Sequence, residues 1–104
     1  MVETTTLNRV YEETKDELRD VDDARATVNE FILTHLRDGY AAGEPRLVIF
    51  PTGPLYSVPV LLAQPGRVSG EAGEVAVDAV TGELAGWTPI EEMVRNAVRL
   101  SAAH

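Results

Sequence analysis

The sequence predicts an α+β domain in which an antiparallel sheet of three or four strands carries its helices mainly on one face. Three observations support this fold class. Apolar residues recur at helical spacing before residue 39, short apolar runs separated by Gly and Pro fill the middle, and a second helical stripe closes the chain. Because the strands follow one another without intervening helices, an antiparallel sheet is favoured. At 104 residues, we expect one domain over 1–104, with 1–21 as a possible helical extension.

The N-terminal part carries two helical stripes. The first consists of Leu7, Val10, Tyr11, Thr14, Leu18 and Val21, and the second of Val28, Phe31, Ile32, His35 and Leu36. Two interpretations remain open. One helix could run from about residue 6 to 38, since positions 7, 14, 21, 28 and 35 of the two stripes are seven residues apart, although Thr14 and His35 are poor residues for a helix seam. Alternatively, two helices could meet near Asp20–Asp22. Val21 and Asp22 resemble a hydrophobic staple and cap, which favours the break, and Gly39 is expected to end the helix.

Strands are predicted over residues 46–50, 55–63, 74–79 and 83–87, with loops at 40–45 and 64–73. Arg46–Phe50 is almost continuously apolar, which is typical of a strand covered on both faces. In the next strand Pro59 indicates an edge or a bulge, because proline cannot donate to the ladder. One face of that strand is apolar and carries Tyr56, Val58, Val60 and Leu62.

A tight hairpin is predicted at Asp78–Glu83. The Asp78 carboxylate can accept hydrogen bonds from N–H groups just downstream, and Gly82 can adopt the positive φ that closes the turn. A well-defined turn fixes the register of the two strands that it joins.

The C-terminal helix is predicted over residues 89–101. Thr88 is expected to cap it, Pro89 to occupy its first position, and Glu91 to complete a capping box. Trp87, directly before it, is expected to pack at the end of the last strand. Its buried stripe would be Ile90, Met93, Val94, Ala97 and Val98.

The charge and composition exclude several functions. Seventeen acidic against nine basic residues give a net charge of −8, so we expect no nucleic-acid binding. The chain has no cysteine, which removes disulfides and thiolate chemistry. It has neither a basic-then-apolar leader nor a run of about 20 apolar residues, so we expect no membrane partner and a cytoplasmic location.

No residue pattern indicates a catalytic, metal or cofactor site. The glycines of residues 66–73 precede a strand and not a helix, which argues against a phosphate cradle. The carboxylate pairs at 12–13, 22–23 and 91–92 fit solvated helix faces and caps. His35 lies on an apolar stripe without a recognisable nucleophile. We therefore expect no cofactor and no metal, and a chain that is more typical of a non-enzyme than of an enzyme. The pocket candidates are His35, Tyr56 and Trp87.

A strand ending in Asp-x-x-Thr-Gly-Glu follows an aromatic-led strand, at Val75–Glu83 and Leu55–Val58. Over about residues 22–87 this arrangement resembles small PepSY-type and related immunity-protein-like α+β domains. The resemblance implies a non-catalytic module that binds or inhibits another protein. PepSY-type domains are usually exported or membrane-attached, so the acidic, leaderless sequence resembles the immunity-like group more closely.

Three functions follow as hypotheses. The first is a protein-interaction module that binds its partner stoichiometrically, with contacts from Tyr11, Glu13, Asp16, Glu17 and Leu18. The second is a small-ligand binder or enzyme with a pocket between helices and sheet, and His35 or Tyr56 at its mouth. The third is a homodimer, formed through the N-terminal helix or through an edge strand that carries Pro59.

Overall fold

Two helices and an antiparallel sheet of five strands form the part of the chain that the computed structural model describes, residues 18–64 and 67–102. The α+β fold class is therefore confirmed. The elements, in chain order, are α1 (Val21–His35), β1 (Tyr40–Ala42), β2 (Arg46–Phe50), β3 (Gly53–Gln64), β4 (Arg67–Asp78), β5 (Leu84–Trp87) and α2 (Ile90–Ala102).

The long strands β3 and β4 form the centre of the sheet, in the order β1-β3-β4-β5. On the side away from β4, β3 pairs first with β2, over Gly53 to Ser57, and then with β1, over Val60 to Leu62. Pro59 lies between these two stretches, and its carbonyl accepts the Gly43 N–H at 2.8 Å.

Of the two possibilities that Pro59 indicated, the edge strand is wrong, because β3 is a central strand. The pairing of β3 with β4 does become irregular just beyond Pro59, with register shifts between Val60 and Leu61 and between Leu62 and Ala63. The missing N–H of Pro59 falls where β3 changes from β2 to β1 as its partner.

The strands differ from the sequence prediction by one or two residues at several ends, and the two largest differences are at β1 and at the start of β4. Residues 40–42 form β1 and not a loop, and β4 begins at Arg67 and not at residue 74. The glycines that indicated a loop are instead places where α2 approaches β4. A Cβ on Gly70 would lie 2.8 Å from Leu100 Cδ2, and one on Gly73 would lie 2.8 Å from Met93 Cγ. Small residues permit this packing without ending the strand.

The strand β2 has the predicted bounds but a different environment. It pairs only with β3, and Ile49 and Phe50 are exposed. The expectation that Arg46–Phe50 is covered on both faces is wrong, because the strand lies at an edge.

The core lies between one face of the sheet and the two helices. The predicted apolar face of β3, from Tyr56 to Leu62, is buried, and it packs with alternate residues of β4. Helix α1 contributes four buried residues and α2 contributes Met93 and Ala97. The main cluster contains Ala24, Val28, Phe31, Ile32, Tyr56, Val58, Val60, Ala72, Val75, Val77, Ala79 and Met93.

Residues 18–20 are not helical, and α1 begins at Val21. The predicted helix start near Asp20–Asp22 is therefore confirmed, and the continuous helix over 6–38 is wrong. Asp20 occupies the N-cap position without a side-chain cap, and Asp22 lies in the first turn instead of capping it. The helix ends at His35, and Gly39, with φ +100°, lies beyond it at the turn into β1. The first predicted helix lies outside the described residues.

The hairpin forms as predicted. Asp78 Oδ1 accepts hydrogen bonds from Val80 N at 2.8 Å and Thr81 N at 2.9 Å, and Gly82 has φ +79°. The hydrogen bond from Thr81 N, and next the one from Val80 N, lower the pKa of the Asp78 carboxyl from its usual value of 3.8. Partial burial of the carboxyl raises its pKa, but by less. The turn is therefore stabilised by a charged carboxylate.

Helix α2 begins one residue later than predicted, at Ile90. The Pro89 carbonyl accepts the Met93 N–H at 3.0 Å, so Pro89 occupies the N-cap position and not the first helical position. The Thr88 hydroxyl accepts a hydrogen bond from Glu74 N at 3.0 Å, which ties the start of α2 to the edge of β4. Neither helix of the described part has the length and apolarity that crossing a membrane requires.

Candidate functional site

An apolar groove lies between the C-terminal end of α1 and the C-terminal half of α2, and its volume is about 840 Å³. This volume is within the range of about 300–1,000 Å³ that is typical of binding sites. The apolar part of its lining is Leu36, Tyr40, Leu62, Val94, Ala97, Val98 and Ala102, and the polar part is His35, Arg37, Asp38 and Ser101.

The two helix ends leave this groove open because they are anchored to different strands. After His35 the backbone becomes extended at Leu36, with φ −123° and ψ 167°, and turns at Gly39 into β1. Helix α2 instead follows β4, where the Asn96 amide donates to the Ala72 carbonyl at 2.8 Å. The gap between them exposes apolar surface that a neighbouring element would normally cover.

Two exposed valines on α2 line the groove. Val94 is 44% exposed and Val98 is 64% exposed, although the sequence pattern placed both in the buried stripe of this helix. They are one helical turn apart and therefore lie on one face. The prediction of their burial is wrong, because α2 rests on β4 through Met93, Ala97 and Leu100 and turns its valines towards the groove.

The charged side chains in the groove lining are one base and one acid, Arg37 and Asp38. Helix α2 also carries Arg95 and Arg99, but neither lines the groove. Arg99 instead donates to Asn96, whose amide is bonded to the Ala72 carbonyl of β4. The groove therefore favours a ligand surface that is mainly apolar.

The structure brings two of the three pocket candidates together: the rings of His35 and Trp87 have centroids 6.4 Å apart, and both lie next to Phe31. His35 lines the groove, with its ring stacked on Phe31 at a centroid distance of 4.3 Å and its Nδ1 3.0 Å from the Phe31 carbonyl. Tyr56 is only 5% exposed and donates its hydroxyl to the Arg19 carbonyl at 2.6 Å, so it lies in the core and not at a mouth. Trp87 ends β5 as predicted, half exposed, with its ring 5.1 Å from that of Phe31.

The predicted contact surface falls almost entirely outside the described residues. Tyr11, Glu13, Asp16 and Glu17 all precede residue 18. Leu18 is described, and it is half-buried against the core cluster. Part of the Leu18 side chain is therefore used in core packing.

Polar side chains occur in the groove and elsewhere on the sheet. Within residues 18–64 and 67–102, no group of three or more His, Asp or Glu side chains could hold a metal ion. The His35 ring is held by its own helix, through the Phe31 ring and carbonyl. Elsewhere, Ser57 Oγ donates to Glu74 Oε2 at 2.8 Å on the opposite face of the sheet. The groove offers apolar contact with charges beside it, which is suited to binding.

The sequence could not predict the groove, because its walls come from residues 35–40, 62 and 94–102, which meet only after folding. The available signal was the end of α2, where apolar residues alternate with arginines. Comparison with known proteins adds no assignment: no family model matches the chain, and no curated protein or solved structure is significantly similar to it.

Proposed function

We propose that this chain is a non-catalytic protein-interaction module that binds another protein stoichiometrically through the apolar groove. The observation that carries the proposal is the pair of exposed valines, Val94 and Val98, above Leu62 in a groove that the fold leaves open. The resemblance to immunity-protein-like modules agrees with such a role, and a cytoplasmic location belongs to the same proposal.

The chemistry of the groove defines the partner's contact segment. The lining is mainly apolar and carries one basic and one acidic side chain, Arg37 and Asp38, so the segment that fits is amphipathic and presents its apolar face to the groove. A helix is suited to this shape, because helix-in-groove docking uses apolar anchors at spacings of three and four residues.

The expected energy is concentrated in few side chains. Burying a valine completely stabilises a complex by about 1.5–3 kcal/mol, so covering the exposed half of Val94 or Val98 contributes about 1 kcal/mol each. Introducing a charge there costs more, since an unpaired carboxylate would be buried against apolar surface. A single substitution is therefore a sensitive test.

The experiment compares Val98→Glu with Leu84→Glu as bait for proteins captured from a native extract. Leu84 is 39% exposed on β5, at the hairpin end of the sheet, and it provides the same apolar-to-acidic change away from the groove. We expect a protein that wild type and Leu84→Glu retain in a fixed ratio and that Val98→Glu loses. Equal capture by all three baits, or capture by none, would refute the proposal.

A small apolar ligand is the second candidate, because the groove volume of about 840 Å³ suits one. In that case an amphiphile with an acidic head group would raise the melting temperature of wild type and not of Val98→Glu. The same screen with metabolites tests the enzyme alternative, in which His35 would act at the groove.

A further inference from the structure

We propose that two copies of this chain pair antiparallel through their β2 strands, about a twofold axis at Val48, to form one continuous sheet. This interaction surface is separate from the groove of the proposed function, because no residue of β2 lines the groove. The pairing depends on the backbone groups at the free edge of β2, on the residues that flank this strand and on its side chains.

The free edge of β2 presents unpaired backbone groups at Leu47 and Ile49. In an antiparallel ladder, opposite residues alternate between pairs that exchange two hydrogen bonds and pairs that exchange none. Ile49 lies opposite Pro54, which has no N–H and whose carbonyl accepts the Ala79 N–H at 3.1 Å, so this pair exchanges none. Leu47 has the same phase, so the N–H and C=O groups of both residues point away from β3. Within the described part of the chain, no backbone group outside the sheet bonds to them.

Strand β2 has few of the features with which proteins protect a free edge. Edge strands are usually protected by lysines, a proline, a bulge or a covering element. The five residues of β2 include no lysine and no proline, and its ladder with β3 runs without a bulge. Its one charge is Arg46, at its start, whereas Ile49 and Phe50 are 39% and 45% exposed. The edge is therefore suited to pairing with another strand.

The prolines on either side of β2 select one register. Pro45 and Pro51 have the same phase as Leu47 and Ile49, and neither proline has an N–H. In an antiparallel pair centred on Val48, Leu47 lies opposite Ile49 of the second copy, so every outward N–H and C=O group of these residues has a partner. A register centred on Leu47 or on Ile49 instead places a proline opposite one of them and leaves a carbonyl without a donor.

The side chains of β2 fit the same register. Side chains of directly opposed residues lie side by side on one face of a sheet. Arg46 therefore lies beside Phe50 of the second copy, where the guanidinium can stack on the ring. In a parallel, in-register pair, Arg46 would instead lie beside its own copy, and like charges in that position are destabilising. The one charge of the strand thus favours the antiparallel arrangement and a second copy as the partner.

The amides of β2 report the pairing directly. One five-residue strand covers less surface than the roughly 1,200–2,000 Å² of a stable interface, so we expect a weak dimer that forms as the concentration rises. The Leu47 and Ile49 amide hydrogens should then exchange rapidly in dilute protein and slowly in concentrated protein. Val48 lies opposite Leu55 in the bonded phase of the β3 ladder, so its amide should be protected at both concentrations.

The test places charges on the twofold axis, where residue 48 faces its own copy. Val48→Lys and Val48→Glu should each raise the dissociation constant of the dimer about tenfold in sedimentation equilibrium, because like charges lie opposite each other. An equal mixture of the two variants should restore the dimer, because lysine then faces glutamate. The controls are Leu84→Lys and Leu84→Glu on β5, at the other edge of the sheet, which should dimerise as wild type does, separately and mixed.

A second variant tests the backbone and not the charge. Ile49→Pro removes an outward N–H that the ladder with β3 does not use. The variant should therefore remain folded in circular dichroism, and its dimer should be weakened at least about tenfold, because each copy loses a hydrogen-bond donor.

Four results would overturn the inference. Wild type that stays monomeric at its highest soluble concentration is the first, and Val48 variants that dimerise as wild type does are the second. The third is a Lys–Glu mixture that dimerises no better than the separate variants. The fourth is slow exchange of Leu47 and Ile49 in dilute monomer, since the chain itself would then cover the edge. The proposed function is tested independently, because Val98→Glu should leave the dissociation constant of the dimer unchanged, and a dimer that this variant abolishes would place the contact in the groove.

Discussion

Replacing Asp78 with Ala should destabilise the protein by about 1–2 kcal/mol, because the turn depends on one carboxylate. Asp78 Oδ1 accepts two backbone N–H groups, from Val80 and Thr81. Side-chain caps of this kind contribute about 0.5–2 kcal/mol at helix N-termini, and the present bonds join a charged acceptor to two donors. The lost bonds are near solvent, so water compensates for part of the loss.

The assay is thermal unfolding of wild type and Asp78→Ala, followed by circular dichroism. At neutral pH we expect the melting temperature of the variant to be lower by about 4–12 °C. The pKa of Asp78 is lowered in the folded protein, so its stabilising effect is present above pH 3.8 and disappears as the pH falls below that value. The difference between wild type and variant should therefore shrink in acid.

Asp78→Asn is the matched control, since its side-chain oxygen can still accept both N–H groups but carries no charge. We expect intermediate stability and no contribution from this position to the pH dependence. Equal stability of wild type and Asp78→Ala at neutral pH would show that Gly82 and the strands alone determine the turn. A difference that persists unchanged below pH 3 would contradict the role assigned to the charge.

Three further substitutions test the fold. Met93→Ala should lower the free energy of unfolding by about 2–5 kcal/mol, since Met93 is fully buried. The control Met93→Leu should lower it by less than about 1.5 kcal/mol. Equal losses for the two variants would contradict the burial of Met93 in the core. Asn96→Ala should lower the free energy of unfolding by about 1 kcal/mol, because the Ala72 carbonyl loses its hydrogen-bond donor. Amide hydrogen exchange near Ala72 should become faster. Unchanged exchange would argue against this hydrogen bond. Phe31→Leu should shift the fluorescence of Trp87, whose ring lies 5.1 Å from that of Phe31, and an unshifted spectrum would place the indole elsewhere.

The parts of the fold that short-range interactions determine were predictable from the sequence. The turn at Asp78 and Gly82 depends on side-chain and backbone groups within four residues, and α1 repeats its apolar residues over several turns. The break before Val21 was also predictable, although the capping assigned to Asp22 was wrong.

The parts that depend on distant partners could not be predicted. Residues 40–42 include two alanines and are too short to show a period, and they form a strand because β3 offers an unpaired edge beyond Pro59. Likewise, Val94 and Val98 have the spacing of a buried stripe. Only the position of α2 on β4 determines that they are turned towards the groove. The candidate site is therefore a product of tertiary packing.

The close contact between α2 and β4 means that the position of one groove wall is set by residues that do not line the groove. Leu100 lies against Gly70 and Met93 against Gly73, so the helix approaches the strand where neither glycine has a side chain. A methyl group added at position 73 would require Met93 and Thr88, at the start of α2, to shift. The two glycines therefore help to fix where α2 stands on the sheet.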